Sequence, residues 1–374
     1  MFNIPNPFFI ILDDLGWFCG TDDSKSGGPS RTAMSRNHCA DDYTAVNELG
    51  KAIGMKINCG FVLSEWDPDN RLRKIPHLSK FGSEWNNAAY IDKNEIKKCV
   101  EVINNSPYID FSVHALSHGY YANNVDFTDV SDWYTYVNNE LIMVNESEIR
   151  DRLNAFFDLV SYNGINKKID SFVPPSGAYR VNEISAILKE YGIKYVTNPF
   201  DCTECLPCPI SCVEETGIIL SNRNRSVPWN IIGADTKKLP VDGITMVEGK
   251  PSYGVFGLHW PNVLHINPEK NMEVVASWTE YIKNCSEQFS TFISPDLAFT
   301  SNQLLYLNFA DVQVIDNRII IDVSKVPSND EFCVNIKECI FKYFGCVISK
   351  FSAHTDFTTY KIKPTNPIIE LVIK

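Results

Sequence analysis

The run Phe8-Phe9-Ile10-Ile11-Leu12 ends directly in Asp13-Asp14. An uninterrupted apolar run of this kind is the pattern of a strand buried on both faces of a parallel sheet. Carboxylates placed just beyond it are costly unless something satisfies them. A divalent cation would do so; a turn or helix cap, where Asp is common, is the competing reading.

Outward from that strand the chain alternates. A loop rich in glycine and serine runs from Gly20 to Ser30. Residues 41–53 have helical spacing, with Tyr43, Val46, Leu49 and Ile53 on one face and Gly54 as the stop. The pattern then predicts a strand over 56–63, a helix over 94–104 and a strand over 109–113. A capped amphipathic helix follows over 146–160, with Asn145 or Ser147 as its cap. Next come a strand over 169–173 ending in Pro174-Pro175, a helix over 181–191 stopped by Gly192, and a strand over 193–197. This repetition predicts α/β architecture, with parallel strands carrying functional loops at their carboxyl ends. Beyond about Ser294 the helical period disappears. Short strands are expected at 304–309, 311–315, 318–323, 331–336, 344–351, 357–362 and 368–373. The chain therefore divides into a first domain over 1–295 and a small, β-rich, sandwich-like domain over 296–374.

Composition sets outer limits. In 374 residues, 44% hydrophobic and 12% aromatic content supply a large core, and the formal charge of -12 opposes a nucleic-acid surface. No eighteen apolar residues run together, so no membrane span is expected. The opening Met1–Pro7 has neither a basic stretch nor a small-residue cleavage site, which points to a cytoplasmic protein. Among the 12 cysteines, Cys59, Cys99, Cys285, Cys333, Cys339 and Cys346 sit in apolar stretches and read as reduced, buried thiols.

The second chemical signal is Val113-His114-Ala115-Leu116-Ser117-His118-Gly119, at the end of the 109–113 strand. Histidines at i and i+4 share one face of a turn, roughly 6 Å apart at Cβ, which suits a common metal. Two hydrogen-bonded histidines without a metal are the plainer reading. Combined with Asp14 the pattern is more specific, because both features stand at carboxyl ends of strands and can converge. One Asp and two His leave positions open for water, the composition of a catalytic metal site. Zinc is the first choice, and cobalt, nickel or iron suits the same ligands.

At this point the sequence resembles a known family. Asp-Asp after the first strand, His-x-x-x-His after a later one, Pro174-Pro175 and the late Leu258-His259 are similar to the NodB-type polysaccharide deacetylases, carbohydrate esterase family 4. The likeness covers about residues 8–265 and is best from Ser112 to Thr197. It implies a distorted (β/α) barrel and removal of an acetyl group from a sugar. It also implies Asp13 as general base, Asp14, His114 and His118 as metal ligands, and His259 as general acid. Trp229 would wall the sugar groove, with Pro175, Ser176 and Trp260 also contacting the carbohydrate. Val173 stands where the family has an Arg that pairs with the base, and Ser176 where it often has Tyr. Ser226-Val227-Pro228-Trp229 occupies the region of the acidic residue that tunes the acid. Asp13 is thus expected without its usual guanidinium, although Arg180 is close in sequence. These departures keep two other readings open: a non-catalytic carbohydrate-binding protein on the same fold, or a glycoside hydrolase using Asp13 with a second carboxylate.

Cys202, Cys205, Cys208 and Cys212 match the spacing of a ferredoxin-type iron–sulfur motif, except that Val213 replaces the usual Pro and no second run exists. A structural zinc or a metal-free loop of reduced thiols competes with the cluster, and the loop is preferred. His38 and Cys39 are expected in a solvated loop, and His265 at the same mouth as His259.

Overall fold

The computed structural model describes residues 2–20, 32–122, 127–128, 131–199, 211–236, 246–247, 250–251, 254–289 and 291–374. The chain starts with a short strand, β1 (Phe2–Asn3), and continues into β2 (Pro7–Leu15), buried along its whole length. Helix α1 (Ala40–Ile53), β3 (Ile57–Val62), α2 (Lys93–Asn105) and β4 (Ile109–Ala115) follow. Then come α3 (Glu146–Tyr162), β5 (Ser171–Phe172), α4 (Val181–Glu190) and β6 (Tyr195–Pro199). The series ends with β7 (Ser211–Val213), β8 (Ile219–Arg223), β9 (Val255–His259), α5 (Asn271–Gln288) and β10 (Phe292–Ile293). The helices and strands expected between 41 and 197 are all present, displaced by two residues at most. The caps behave as their chemistry requires: Asn145 accepts from Ser147 N at 2.9 Å, and Gly54 closes α1 in the left-handed region at φ 71°.

Among the described residues, nine strands form one sheet in the order β7-β8-β6-β5-β4-β3-β2-β9, with β10 also pairing β2. The pairs are parallel except β7 with β8. One face takes the helices. Phe61 and Phe111 stack there at 3.7 Å between ring centroids, beside Tyr43 of α1 and Phe156 of α3. The other face carries small and polar residues. Gly60 leaves room for His114, whose Cβ would lie 3.1 Å from an added methyl. The Asn58 amide donates to the hydroxyls of Ser112 and Ser171 on the next strands.

Small side chains on one face let the sheet curl towards it. Asp13 on β2 and Arg223 on β8 meet across that concave face, although β6, β5, β4 and β3 lie between them in the sheet. The ladder stays open between β8 and β9 in the described residues. Two backbone hydrogen bonds span the gap, Asn224 N to Val255 O at 2.9 Å and Val227 N to Gly257 O at 3.1 Å. The architecture is thus mixed α/β around a curled sheet, with several smaller sheets attached.

The C-terminal segment corrects one expectation and refines another. Residues 304–309 do not form a strand; they belong to helix α6 (Leu297–Phe309). Its Leu304 and Leu307 join the core under the curled sheet, while Leu305 and Tyr306 join a second core. A helix buried on both sides has no polar outer face, and α6 buries Thr300, Ser301, Asn302 and Gln303 along with its leucines, which removes the amphipathic signature. After it come β11 (Asp311–Ile315), β12 (Arg318–Asp322), β13 (Phe332–Ile336), β14 (Ile340–Phe344), β15 (Cys346–Ala353), β16 (Thr358–Pro364) and β17 (Ile368–Ile373). They form two four-stranded antiparallel sheets, β1-β13-β16-β15 and β11-β12-β17-β14. Both contribute to the second core, through Val334, Ile336 and Ile362 from one and Ile319, Ile369 and Leu371 from the other. The strand expected over 344–351 is broken at Gly345 (φ 73°), where an added Cβ would lie 2.2 Å from Ile368 O, and its halves enter different sheets.

Gln303 on α6 ties these parts together. Fully buried, it donates to Pro5 O at 2.8 Å and Cys333 O at 3.1 Å and accepts from Cys333 N at 2.7 Å. Gln303→Leu leaves those backbone groups buried and unpaired, a penalty of about 1–3 kcal/mol for each group that water does not reach. Urea unfolding should show a loss of at least that size; unchanged stability would mean that water or a shift in the backbone replaces the amide.

Candidate metal centre

The parallel ladder ends irregularly where the carboxylates begin. The register of β2 against β3 shifts between Leu12 and Leu15, and Asp14 adopts φ 67°. Such a conformation is unfavourable for a residue with a side chain and persists only when the surroundings enforce it. Here they do. Glu65, fully buried after β3, accepts from Phe18 N and Cys19 N, and Trp66 Nε1 donates to Gly16 O at 2.7 Å. The turn therefore directs Asp13 and Asp14 to opposite tasks.

His114 lies on β4 and His118 beyond its end, at φ 58°, with ring centroids 5.1 Å apart. His114 Nδ1 donates to Val173 O at 2.6 Å, which leaves Nε2 with its lone pair facing Asp14. Asp14 Oδ1 is 3.3 Å from His114 Nε2 and 3.7 Å from His118 Nε2, while Asp14 Oδ2 is 3.5 Å from His259 Nε2. Burial alone would raise the Asp14 carboxyl, but His118, His114 and His259 together hold it well below the ordinary carboxylate range. Burial pushes the His114 imidazole down, and Asp14 more than reverses this.

These atoms fit a metal ion. Asp14 Oδ1 and His114 Nε2 are buried with no hydrogen-bond partner, close in distance but without hydrogen-bond geometry between them. Ligands about 2.0–2.2 Å from a tetrahedral ion stand roughly 3.4 Å from each other. The observed separations of 3.3 and 3.7 Å are near that value. The three residues sit within 4.8 Å of one another at their ligating atoms.

Asp13 does not lack its guanidinium. Arg223, at the end of β8, reaches across the concave face and donates to Asp13 Oδ2 at 2.8 Å, and the Ser226 hydroxyl donates to the same oxygen at 2.6 Å. Arg223 Nη1 also holds Ser226 Oγ at 2.6 Å. Arg180, the candidate nearest in sequence, pairs with Glu183 at 3.3 Å. Gly257 makes the crossing feasible, since an added Cβ would lie 2.2 Å from Arg223 Nη1. No motif spacing links Arg223 to Asp13, so only the curl of the sheet reveals the pair.

His259 stands on β9 opposite Asp13, one step beyond Leu258 and Leu12 in the register. Its Nδ1 donates to Val227 O at 2.6 Å, a carbonyl in place of an acidic side chain. Asn262, fully buried, accepts from His259 N at 2.7 Å and donates to Pro228 O and Ile231 O, which fixes the loop bearing Trp229. Trp229, Ser176 (φ 52°), Arg225 and the Asp13, His114, His118 and His259 side chains border an open cleft of about 240 Å³. Ser176 and Gly177, and not Pro175, line it; Pro175 is buried in the turn behind. Trp260 is no groove residue either. It is fully buried and stacked on His38 at 4.0 Å. Of the cysteine motif, Cys202, Cys205 and Cys208 lie outside the described residues, and Cys212 is a half-buried thiol on β7 opposite Leu220. His265 faces its own turn, accepting from Asn267 N at 2.8 Å.

His38 is buried, contrary to the expected solvated loop. Its Nδ1 meets Asp42 Oδ2 at 2.9 Å, and Arg36 grips both oxygens of Asp42 at 2.8 and 2.7 Å. Burial would raise the Asp42 carboxyl, but His38 and Arg36 hold it well below the usual range. Through His38 this cluster braces Trp260, next to His259. Compared with known proteins, the chain matches no family profile, no curated protein and no solved structure.

Two measurements test these assignments. Removing one partner of a buried ion pair leaves the other charge uncompensated, so Arg223→Met should cost about 3–5 kcal/mol in urea unfolding. Arg223→Lys should recover only part, because an ammonium lacks the fork that serves Asp13 and Ser226 together; wild-type stability in R223M would refute the pair. For Asp42, a depressed carboxyl stabilises the fold above its unfolded pKa of about 3.9 and loses that contribution as pH falls. The stability gap between wild type and Asp42→Asn should be constant near neutrality and close below about pH 4. A gap that is flat down to pH 3 would show that Asp42 is not held ionised.

Proposed function

We propose that the protein is a metal-dependent hydrolase that deacetylates an N- or O-acetylated sugar, on a distorted (β/α) barrel of the NodB type. The observation that carries this reading is the convergence of Asp14, His114 and His118, with the two histidines facing an open cleft that Asp13 and His259 also border. Asp14, His114 and His118 would hold a divalent cation, zinc first, which polarises the acetyl carbonyl and acidifies a water.

The chain's own groups supply the proton transfers. Arg223 and Ser226 occupy Asp13 Oδ2, while Asp13 Oδ1 is buried without a hydrogen-bond partner. That oxygen is the acceptor for the proton of the attacking water. The Val227 carbonyl keeps the proton of His259 on Nδ1, so a proton gained at Nε2 is the one available to the leaving nitrogen or oxygen. Trp229 offers a flat apolar wall to a sugar ring, and the neighbouring Arg225 gives the mouth a positive charge against an acidic chain. Among the described residues no helix is long and apolar enough to cross a membrane. Cys59, Cys99, Cys285, Cys333 and Cys346 are buried as expected and Cys339 is exposed; reduced thiols at these positions would suit a cytoplasmic location.

Elemental analysis should find one equivalent of a zinc-like metal in the wild type and none in the His114→Ala, His118→Ala double variant. The metal-loaded wild type should release acetate from acetylated saccharides, and Asp13→Asn should lower that rate by about 10²–10⁴, the usual contribution of a positioned base. Saccharide binding without any acetate, unchanged in D13N, would turn the reading to a carbohydrate-binding protein.

A further inference from the structure

Asp132 lies outside the cleft, behind the turn that carries His118. Its carboxylate is fully buried and accepts from three successive amides: Leu116 N at 2.8 Å, Ser117 N at 3.2 Å and His118 N at 3.1 Å. The Ser117 hydroxyl adds a fourth bond at 2.8 Å. Arg152 of α3, equally buried, donates to Asp132 at 3.0 Å and to Pro76 O at 3.0 Å, and lies 5.3 Å from the Tyr120 ring centroid.

Three consecutive N–H groups can converge on one anion only where the backbone bends into a concave nest. That bend ends at His118, in the left-handed region at φ 58°. A β4 continued straight would carry residue 118 about 13 Å past residue 114. The bend instead brings His118 Nε2 to 3.7 Å from Asp14 Oδ1. A left-handed conformation costs a histidine about 1–2 kcal/mol, and the bonds to Asp132 offset it.

We propose that Asp132, neutralised by Arg152, is the positioning residue of the metal centre: it holds the 116–118 backbone and thereby sets the His118 ring without touching the metal. This rests on the reading of Asp14, His114 and His118 as a metal site. Asp132 binds the backbone amides of the turn that carries His118, so its loss reaches the ring through the backbone.

Cobalt(II) titration of the wild type, Asp132→Asn, His118→Ala and the double variant tests this, read by affinity and by the visible spectrum. Asparagine offers one acceptor oxygen and turns an amide donor towards backbone donors. D132N should bind cobalt about ten- to a hundredfold more weakly, with a changed spectrum. The double variant should bind no more weakly than H118A alone, because Asp132 acts through His118. Additive losses, or wild-type affinity and spectrum in a folded D132N, overturn the inference. Ser117→Ala removes one bond to Asp132 and keeps the charge pair, so it tests the point even if D132N does not fold. It should weaken cobalt binding about two- to tenfold, the value of one hydrogen bond; wild-type binding by S117A beside an unfolded D132N also overturns the inference. A wild type that binds no cobalt removes the metal centre itself, whereas tight wild-type binding unaffected in D132N removes only the role of Asp132.

Discussion

Asp13 and Asp14 stand side by side at the end of an apolar strand, 4% and 1% exposed. An unpaired carboxylate in such surroundings is heavily penalised, and each of two adjacent ones must be compensated. Asp13 is answered by Arg223 from the far side of the sheet, and Asp14 by imidazoles from β4, the turn after it and β9. Those answers cannot meet on a flat sheet. The concave face, its small residues and the gap at Gly257 all serve the approach of charges that are distant in strand order.

A second tier of buried carboxylates holds the loops that hold the first. Glu65 ties down the turn after Asp14, Asp132 the turn under His118, and Asp42 the loop that braces Trp260. The first two bind backbone amides of the neighbouring turn, and Asp42, in the first turn of α1, binds Arg36, His38 and the Cys39 amide of the loop before it. Acidic side chains outnumber basic ones in this chain, 46 to 34. Part of that excess is internal scaffolding and not surface charge.

The local elements were legible because each rests on neighbours in sequence. The apolar run before Asp13, the cap at Asn145 and the stop at Gly54 need no knowledge of what lies across the fold. Asp14, His114 and His118 were legible for the same reason, since each ends or follows a recognisable strand, whereas His259 was named only through the resemblance. What escaped depends on distant partners. Arg223 lies 210 residues from Asp13, Asp132 and Arg152 carry no motif, and α6 conceals its helical period because both sides are buried. Trp260 shows the converse: the resemblance implied a carbohydrate contact, but the stack on His38 takes the ring into the core.

Asp14, His118 and Ser176 share one unusual property, a left-handed backbone at φ 67°, 58° and 52° with no glycine among them. Glycine at any of the three would relieve steric strain, and at Asp14 or His118 it would also remove a side chain that could hold a metal ion. Three such backbones lie at or beside one cleft, so the strain of the fold is concentrated where Asp14, His114 and His118 could hold a metal ion, and the rigid turns around them, not local preference, keep those side chains in place.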